Sequence, residues 1–380
     1  MLAHAQSVHR LGDRDRQFDF GIAGDLAFQT GTTLQVGLNG PSTTPIFTSN
    51  TLTLGGVGAT TINVDSSGAP GGLYALINSA TAPSAPNPAN QFVLGSNIPT
   101  GSSVNYTPVG HVYLNLAGSG PAGPDFVYWD GLTTSGTNPI SGGMGNWNTF
   151  DAANTNWGNA DPPTAHSDWK QGDIAIFTGN AGTVAVQTQN GANPVEAGGL
   201  QFAQTGYAIS GDTLTLVSAN ADNLAEIAVG PGATTTATIN SVLDGTAGIN
   251  KTGAGELVLA GDNLYSGGTR LTGGVLTVSK DANLGASSAG VAFAGGTLKA
   301  AAGFSTGRAM TIDKHGGTIE VANGGDTLTA TGVISDDPGN TQWPKPRAAS
   351  HQSQASPRGR GCFDHVNLLR RGDRLAEIRH

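Results

Sequence analysis

The sequence predicts an all-β solenoid built from short strands that stack on one another. Glycine supplies 58 of the 380 residues, about twice the share that is usual in globular proteins, so turns recur every few residues. In residues 249–278, strand-like runs alternate with the turn sequences Thr-Gly-Ala-Gly, Gly-Asp-Asn and Ser-Gly-Gly. A strand this short buries its apolar face only when neighbouring coils of the chain lie against it.

A repeated hexamer gives the period of the predicted solenoid. A Gly-Gly pair followed by a strand recurs as GGVLTV from Gly273, GGTLKA from Gly295 and GGTIEV from Gly316. The spacings of 22 and 21 residues fall in the range of one solenoid coil. Apolar residues within each hexamer lie two apart, as expected for a strand with one inward face. We therefore expect Leu276, Leu298 and Ile319 to form one inward ladder, each burial contributing about 1.5–3 kcal/mol.

Charge is distributed unevenly along the chain. Residues 17–337 contain seven Lys or Arg and 22 Asp or Glu, whereas residues 338–380 contain eight and three. An acidic body repels phosphate, which excludes nucleic acid as a partner. No run of about 18 apolar residues is present, so we predict no membrane-spanning helix. The single cysteine, Cys362, lies in the basic tail, so the body has neither disulfides nor Cys-based zinc sites.

Composition divides the chain into four segments: residues 1–16, 17–117, 126–337 and 338–380. The first is charged and contains Ala3-His4-Ala5, which resembles the end of a signal peptide, so we interpret it as a leader remnant. The second is a β-rich segment in which residues 80–89 are too Pro-rich for a strand and predict a surface loop. Residues 118–124 (GSGPAGP) form the boundary before the third segment. Within that third segment, we interpret residues 219–229 as a loop followed by a strand.

Residues 249–278 resemble a known repeat. The ordered motifs are KTGAG from Lys251, LVL from Leu257, GDNLYSGGT from Gly261 and GVLTV from Gly274. Together they resemble the autotransporter-associated β-strand repeat of type V secreted passenger domains of Gram-negative bacteria. Upstream, Trp129-Asp130-Gly131, Asn146-Trp147-Asn148, Asn156-Trp157, Trp169 and GDIAIF from Gly172 resemble the lead-in of such passengers. The resemblance covers residues 126–335. Residues 18–116 share only the general alternation of short apolar runs with turn residues.

This resemblance implies a right-handed parallel β-helix that is exported to the cell surface and followed by a C-terminal translocator barrel. Residues after Asp337 lack the alternating, aromatic-girdled strands of such a barrel, so we expect no C-terminal translocator barrel in this sequence. Shifted reading frames of residues 354–362 and 367–372 can encode repeat-like motifs. We therefore hypothesise that the frame is lost near Pro338 and that the tail is disordered, with no function for its Arg-Gly-Asp tripeptide at residues 371–373.

The sequence assigns no catalytic, cofactor-binding or metal-ligating residue. His111, His166 and His315 are far apart and lack a recognisable partner pattern, and the neighbours His166-Ser167-Asp168 do not form a relay merely by adjacency. Ser287 and Ser288 in GASSAG do not match G-x-S-x-G. The G-x-G-x-x-G match of residues 118–123 contains Pro121 and opens no helix, so the nucleotide-binding interpretation fails. The sequence also has no G-G-x-G-x-D calcium repeat.

Two further interpretations remain beside a purely structural role. A polysaccharide-degrading enzyme needs carboxylates that converge on one groove; the candidates are Asp262, Asp281 and Asp313, with Arg270 and Arg308 nearby in the repeats. A carbohydrate-binding module would use the aromatic cluster that comprises Trp129, Trp147, Trp157 and Trp169, with Phe126, Tyr128 and Phe150. We favour solvated turn acids for the first set and a cap that seals the first coil for the second.

The sequence therefore predicts a non-enzymatic autotransporter passenger, a β-helical stalk at the cell surface or secreted, for adhesion or aggregation. Contact would be made through many weak interactions along a polar face rich in Thr, Asn and Ser. The expected partners are glycans or proteins on host or neighbouring cells, with no cofactor, nucleic acid or membrane span. The alternatives are a β-helical polysaccharide-degrading enzyme and a carbohydrate-binding module that uses the tryptophans.

Overall fold

The structure, a computed structural model, describes most of the chain between residues 20 and 336. The described residues are 20–21, 25–28, 32–38, 41, 45–49, 51–54, 60–65, 71–79, 92–96, 98–117, 123–218, 220, 222–336 and 366–369. The leader at residues 1–16, the Pro-rich stretch 80–89, most of the boundary at 118–124, Cys362 and residues 371–373 lie outside them.

The first part of the chain forms a small parallel β-helix, which we call the N-terminal unit. Its strands are β1 Phe20–Gly21, β2 Asp25–Phe28, β3 Thr32–Gly37, β4 Phe47–Ser49, β5 Thr51–Leu54, β6 Thr60–Asp65, β7 Gly72–Ser79, β8 Phe92–Leu94, β9 Ser103–Tyr106 and β10 His111–Leu116. β1 pairs in parallel with β4, and β4 pairs with β7. β2 pairs in parallel with β5. β3 pairs in parallel with β6, and β6 pairs with β8. β10 then pairs antiparallel with both β7 and β9.

Residues 126–336 form a longer parallel β-helix. Its first strands are β11 Phe126–Trp129, β12 Gly145–Trp147, β13 Trp157–Gly158, β14 His166–Ser167, β15 Ile174–Phe177, β16 Thr183–Val186, β17 Val195–Ala197, β18 Gly199–Phe202, β19 Tyr207–Gly211, β20 Leu214–Leu216, β21 Leu224–Val229, β22 Thr236–Ile239 and β23 Leu243–Asp244. The remaining ones are β24 Gly248–Thr252, β25 Glu256–Leu259, β26 Thr269–Leu271, β27 Val275–Val278, β28 Val291–Phe293, β29 Thr297–Ala300, β30 Phe304–Thr306, β31 Met310–Ile312, β32 Gly317–Val321, β33 Leu328–Ala330 and β34 Ile334–Asp336.

Two long sheets form the walls of this β-helix. Sheet I has eleven strands in the order β14-β13-β11-β15-β18-β21-β24-β26-β28-β31-β34, and only its first two pairs are antiparallel. Sheet II has nine strands in the order β12-β16-β19-β22-β25-β27-β29-β32-β35, where β35 is Val366–Leu369 of the tail. Shorter parallel sheets, β17-β20-β23 and β30-β33, lie between them in the chain, and a short 3-10 helix spans Asp281–Leu284. The predicted parallel β-helix is therefore confirmed.

The inward ladder expected from the hexamers is present in sheet II. Leu276 pairs in register with Leu298, which pairs with Ile319, and all three side chains are buried. Between them, Thr277, Lys299 and Glu320 form a second register column on the outer face. The strand expected at the end of residues 219–229 is present as Leu224–Val229, whereas residues 219 and 221 lie outside the described residues.

The N-terminal unit packs side-on against sheet I. Leu73 of β7 and Tyr113 of β10 bury themselves against Ile174 of β15, with Phe126 of β11 beside them. Tyr113 also bonds to side chains from β18 and β21. The strands β11, β15, β18 and β21 are consecutive neighbours in sheet I. Strand β10 therefore lies across the outer face of four coils.

One inward position of sheet I carries a lysine instead of an apolar residue. Lys251 pairs in register with Ile227 on one side and Leu271 on the other, and it is fully buried. Its Nζ donates hydrogen bonds to the carbonyl oxygens of Thr252 (2.7 Å), Gly253 (3.1 Å) and Gly273 (3.1 Å). Burial lowers the pKa of this amine to about 7, although Glu226 and Glu256 oppose the shift. The Nζ of Lys251 in the KTGAG motif thus ties together the turns of two successive coils.

Replacing Lys251 by Met is expected to lower the free energy of unfolding by about 3 kcal/mol, because three turn carbonyls lose their donor. The folded-state pKa of about 7 lies below the unfolded value of about 10.4, so protonation favours the unfolded chain. The stability that Lys251 contributes therefore increases as the pH rises from 7 towards 10. Urea unfolding at pH 7 and pH 9 should show a larger deficit for Lys251→Met at pH 9.

The matched control for this prediction is Lys280→Met. Lys280 is half-exposed and pairs with Asp262 at 2.5 Å, and an exposed pair of this kind contributes only about 0.2–1 kcal/mol. Equal losses for the two variants, or a deficit of Lys251→Met that does not change with pH, would contradict the assignment.

Candidate functional site

A buried polar cluster lies where the N-terminal unit meets sheet I. The carboxylate of Glu226 accepts a hydrogen bond from the Tyr113 hydroxyl at Oε2 and one from Thr252 Oγ1 at Oε1, over 2.6 Å. His111 Nδ1 lies 3.1 Å from Glu226 Oε1. Gln201 Nε2 donates to the Tyr113 hydroxyl over 2.9 Å. We call these five residues the junction cluster, and all of them are buried.

Strand alternation explains why these side chains meet. In β10, Val112, Leu114 and Leu116 belong to the core of the N-terminal unit. His111 and Tyr113 therefore point out of the other face of the strand. In β21, Ala225 and Ile227 belong to the core of the long β-helix, so Glu226 points outward and faces β10. The two outward faces supply complementary groups.

The electrostatics of the cluster favour an ionised carboxylate. Burial alone would raise the pKa of Glu226, but the neighbouring His111 and hydrogen bonds from His111, Thr252 and Tyr113 hold it below its usual value. In contrast, burial and the Glu226 charge raise the pKa of the Tyr113 hydroxyl well above its usual value, so it remains a donor. His111 Nε2 and Gln201 Oε1 have no hydrogen-bond partner in the described part of the chain.

A cavity of about 360 Å³ lies beside the junction cluster. Its walls come from both units, with Gly71–Leu73 and Tyr113 on one side and residues 170–174 of the long β-helix on the other. Apolar groups line part of it and carboxylates line another part, so the cavity is amphipathic. It offers a small molecule a partly enclosed surface.

Replacing Glu226 by Gln is expected to lower the free energy of unfolding at pH 7 by about 1–3 kcal/mol, since a buried network loses its charged acceptor. The folded-state pKa lies below the unfolded value, so the contribution of Glu226 is present above about pH 4.3. It is lost as the pH falls through the folded-state pKa. The deficit of Glu226→Gln should therefore shrink between pH 7 and pH 3.

Hydrogen exchange of the β10 amides measures this effect locally, because β10 holds two members of the junction cluster. Glu320→Gln, on the outer face of sheet II, is the matched control and should leave β10 protection unchanged. Unchanged β10 exchange in Glu226→Gln would show that the cluster does not hold the two units together.

The remaining histidines do not assemble a nucleophilic relay. His166 Nε2 lies 3.0 Å from Asp130 Oδ2, and the Ser141 hydroxyl donates to Asp130 Oδ1 over 2.6 Å. The serine therefore bonds to the acid and not to the imidazole, whereas a Ser-His-Asp relay needs the histidine between them. His315 lies 3.3 Å from Asp313 in an exposed turn. Each imidazole thus has its own neighbour.

The candidate carboxylates of a polysaccharide-degrading site each face a different cation. Asp262 pairs with Lys280, and Asp313 lies 3.7 Å from Arg270. Asp281 receives two bonds from Arg308, at 2.9 and 3.1 Å. Burial would raise the pKa of Asp281, but these bonds and the Arg308 charge lower it below its usual value. A general acid needs a raised pKa, so Asp281 is unsuited to that role.

The four tryptophans seal the first coil of the long β-helix. Trp129, Trp147, Trp157 and Trp169 are all at most 4 % exposed. Trp147 lies 5.1 Å from Trp157 and 4.7 Å from Trp169 between ring centroids. A sugar stacks on a ring face that solvent can reach, and these faces are covered. The geometry favours the capping role.

The described residues contain no group of three or more His, Cys, Asp or Glu side chains arranged to hold a metal ion. They also contain no helix of the length and apolar character needed to cross a membrane.

One repeat of the long β-helix matches a known family model. Residues 249–278 match the family model described as the passenger-associated-transport-repeat. The matched residues include Lys251, which joins two coils, and the ladder residue Leu276. The match agrees with the autotransporter-associated repeat that these motifs predict.

A particular relative is the adhesin BmaC autotransporter of Brucella suis biovar 1 (strain 1330). The two sequences are 37 % identical over 235 residues, which cover 58 % of this chain and 6 % of that protein. The chain therefore corresponds to a small part of a much longer relative. No solved structure matches the chain.

Proposed function

We propose that this chain is a non-enzymatic adhesive stalk, displayed at the cell surface or secreted, which binds glycans or proteins on host or neighbouring cells. The observation that carries the proposal is the continuous parallel β-helix, because this architecture extends surface without needing a catalytic centre. The similarity to a protein named an adhesin supports the same role.

The outer face of sheet II is the contact surface that suits this role. Thr297 lies beside Thr318 in one register column, and Lys299 lies beside Glu320 in the next. Lys299 Nζ also lies 3.6 Å from Glu256 two coils away. Hydroxyl groups on a flat strand surface offer repeated donors and acceptors, so many weak contacts add up along the stalk.

Beads coated with the full chain test this proposal on cultured epithelial cells. We expect more bound beads than with albumin-coated beads, and a several-fold loss when Thr297→Arg and Thr318→Arg place two bulky charges on the outer face. The matched control carries Thr134→Arg and Thr137→Arg in an exposed turn of residues 132–139. It adds the same charge elsewhere and should retain binding.

Binding no better than albumin would refute the adhesive role, and equal loss in both variants would refute the assigned face. The same preparation should release no reducing ends from a panel of polysaccharides. Release that is lost on mutation of a carboxylate would instead establish an enzyme.

A further inference from the structure

We propose that the junction cavity is a binding site for a small alkylammonium compound, with Asp173 as the anionic partner and the apolar wall as the seat of the alkyl chain. The proposal does not depend on the adhesive role. A volume of about 360 Å³ falls within the range of about 300–1,000 Å³ that is typical of ligand pockets.

Asp173 supplies the acceptor. Its side chain is only 4 % exposed, and it lines the cavity. Oδ1 accepts a hydrogen bond from the Asp125 amide over 3.0 Å, which leaves Oδ2 available to a ligand or to solvent. A carboxylate with so little exposure is stable in its charged form only when donors satisfy it. An ammonium group, with three donors and a positive charge, matches this oxygen.

The rest of the wall fits a short alkyl chain. Leu73 from the N-terminal unit and Ile174 and Val217 from the long β-helix present apolar surface to the cavity. Other polar side chains in the wall are already engaged: Gln171 bonds to the backbone of Pro194 and Glu196 through its amide. Apart from Lys170, the groups that remain for a ligand are mainly acceptors and apolar carbons, which favours a cation over an anion.

The charges around Asp173 are mostly negative. Asp125 lies close enough for its charge to act on Asp173, and the ionised Glu226 also lines the cavity. The cation that faces it is Lys170, whose Nζ lies 3.9 Å from Asp173 Oδ1 but 3.2 Å from Asp125 Oδ2. Lys170 is two-thirds exposed, so solvent screens its charge. The cavity thus retains a negative potential that attracts a cation.

Burial raises the pKa of Asp173 to about 6, although the Asp125 amide bond and the Lys170 charge oppose the shift. The carboxylate is therefore mostly ionised at pH 7 and mostly protonated at pH 5. Because an ammonium ligand binds to the ionised form, its affinity should follow this titration. Three other titratable groups line the wall. Tyr113 keeps its proton across this range, the pKa of Glu226 is held below its usual value by His111 and its hydrogen bonds, and the pKa of Lys170 is raised by its bond to Asp125.

Saturation-transfer NMR of the full chain with butylammonium chloride tests the proposal. We expect transfer to the butyl protons at pH 7, an apparent Kd about tenfold weaker at pH 5, and no transfer to 1-butanol at the same concentration. Asp173→Asn preserves the bond from the Asp125 amide and should weaken binding at least tenfold. Lys170→Met removes the repelling charge at the rim and should strengthen binding about two- to fivefold.

The opposite effects of the two variants separate a binding site from a merely structural acid. If Asp173→Asn does not fold, the pH dependence and the 1-butanol comparison on the unmodified chain still decide the matter. Absence of transfer at pH 7, equal transfer to 1-butanol, or an affinity that does not change between pH 5 and pH 7 would overturn the proposal.

Discussion

Replacing Trp147 by Ala is expected to lower the free energy of unfolding by about 3–5 kcal/mol. The indole is fully buried and packs against Trp157, Trp169 and Phe177, with ring centroids 5.1, 4.7 and 6.1 Å away. In a solenoid each coil is held mainly by its neighbours, so a cavity in the first coil should loosen that end most. Urea unfolding measures the loss, and hydrogen exchange should locate it between residues 126 and 177.

Phe150→Ala is the control for the tryptophan variant. Phe150 lies in the same aromatic segment but is 38 % exposed, so its removal should cost less than about 1 kcal/mol. A loss for Trp147→Ala no larger than this, or exchange that rises evenly along the β-helix, would contradict the capping role.

Replacing Arg308 by Met is expected to cost about 3–5 kcal/mol, because Asp281 keeps its charge without a partner and several carbonyls lose their donor. The guanidinium is 1 % exposed at its side chain. Besides both Asp281 oxygens, it donates to backbone carbonyls, namely those of Asp281, Leu284, Gly285, Ala286 and Ala289. It thereby holds the loop with the short 3-10 helix against the following coil.

The matched control is Arg270→Met, because the two arginines differ in their surroundings and not in their chemistry. Arg270 is 28 % exposed at its side chain and lies 3.7 Å from Asp313, so its loss should cost less than about 1 kcal/mol. Since Arg308 holds the pKa of Asp281 below its usual value, the contribution of the pair should be present above the unfolded value of about 3.9 and should be lost as the pH falls through the lower folded-state pKa. Equal losses for both variants in thermal or urea unfolding would refute the difference assigned here.

The core ladders could be predicted from the sequence because they depend on local alternation and on a repeat of nearly constant length. Leu276 and Leu298 are 22 residues apart, and the hexamer period brings them into register. Sequence also placed Arg270 and Arg308 in the repeats with the candidate carboxylates, but it could not tell which arginine is buried. Their burial is decided by residues in the neighbouring coil, 27 positions away for Arg308 and Asp281.

The junction cluster could not be predicted in this way. Tyr113 and Glu226 are 113 residues apart, and alternation reveals which face a residue lies on but not which surface covers that face. The polar residues of β10 and β21 thus look like ordinary solvated positions. The sequence shows Lys251 as part of the KTGAG motif. Period-two alternation assigns an apolar residue to its inward position, so the burial of a lysine there could not be predicted from the local pattern.

The side-on position of the N-terminal unit also sets an order of assembly. The junction cluster draws His111 and Tyr113 from β10, but Gln201, Glu226 and Thr252 come from three successive strands of sheet I. The docking surface therefore exists only after β18, β21 and β24 have stacked, which makes its closure a late event of high contact order. The N-terminal unit can therefore attach only when the opening coils of the long β-helix have stacked in register.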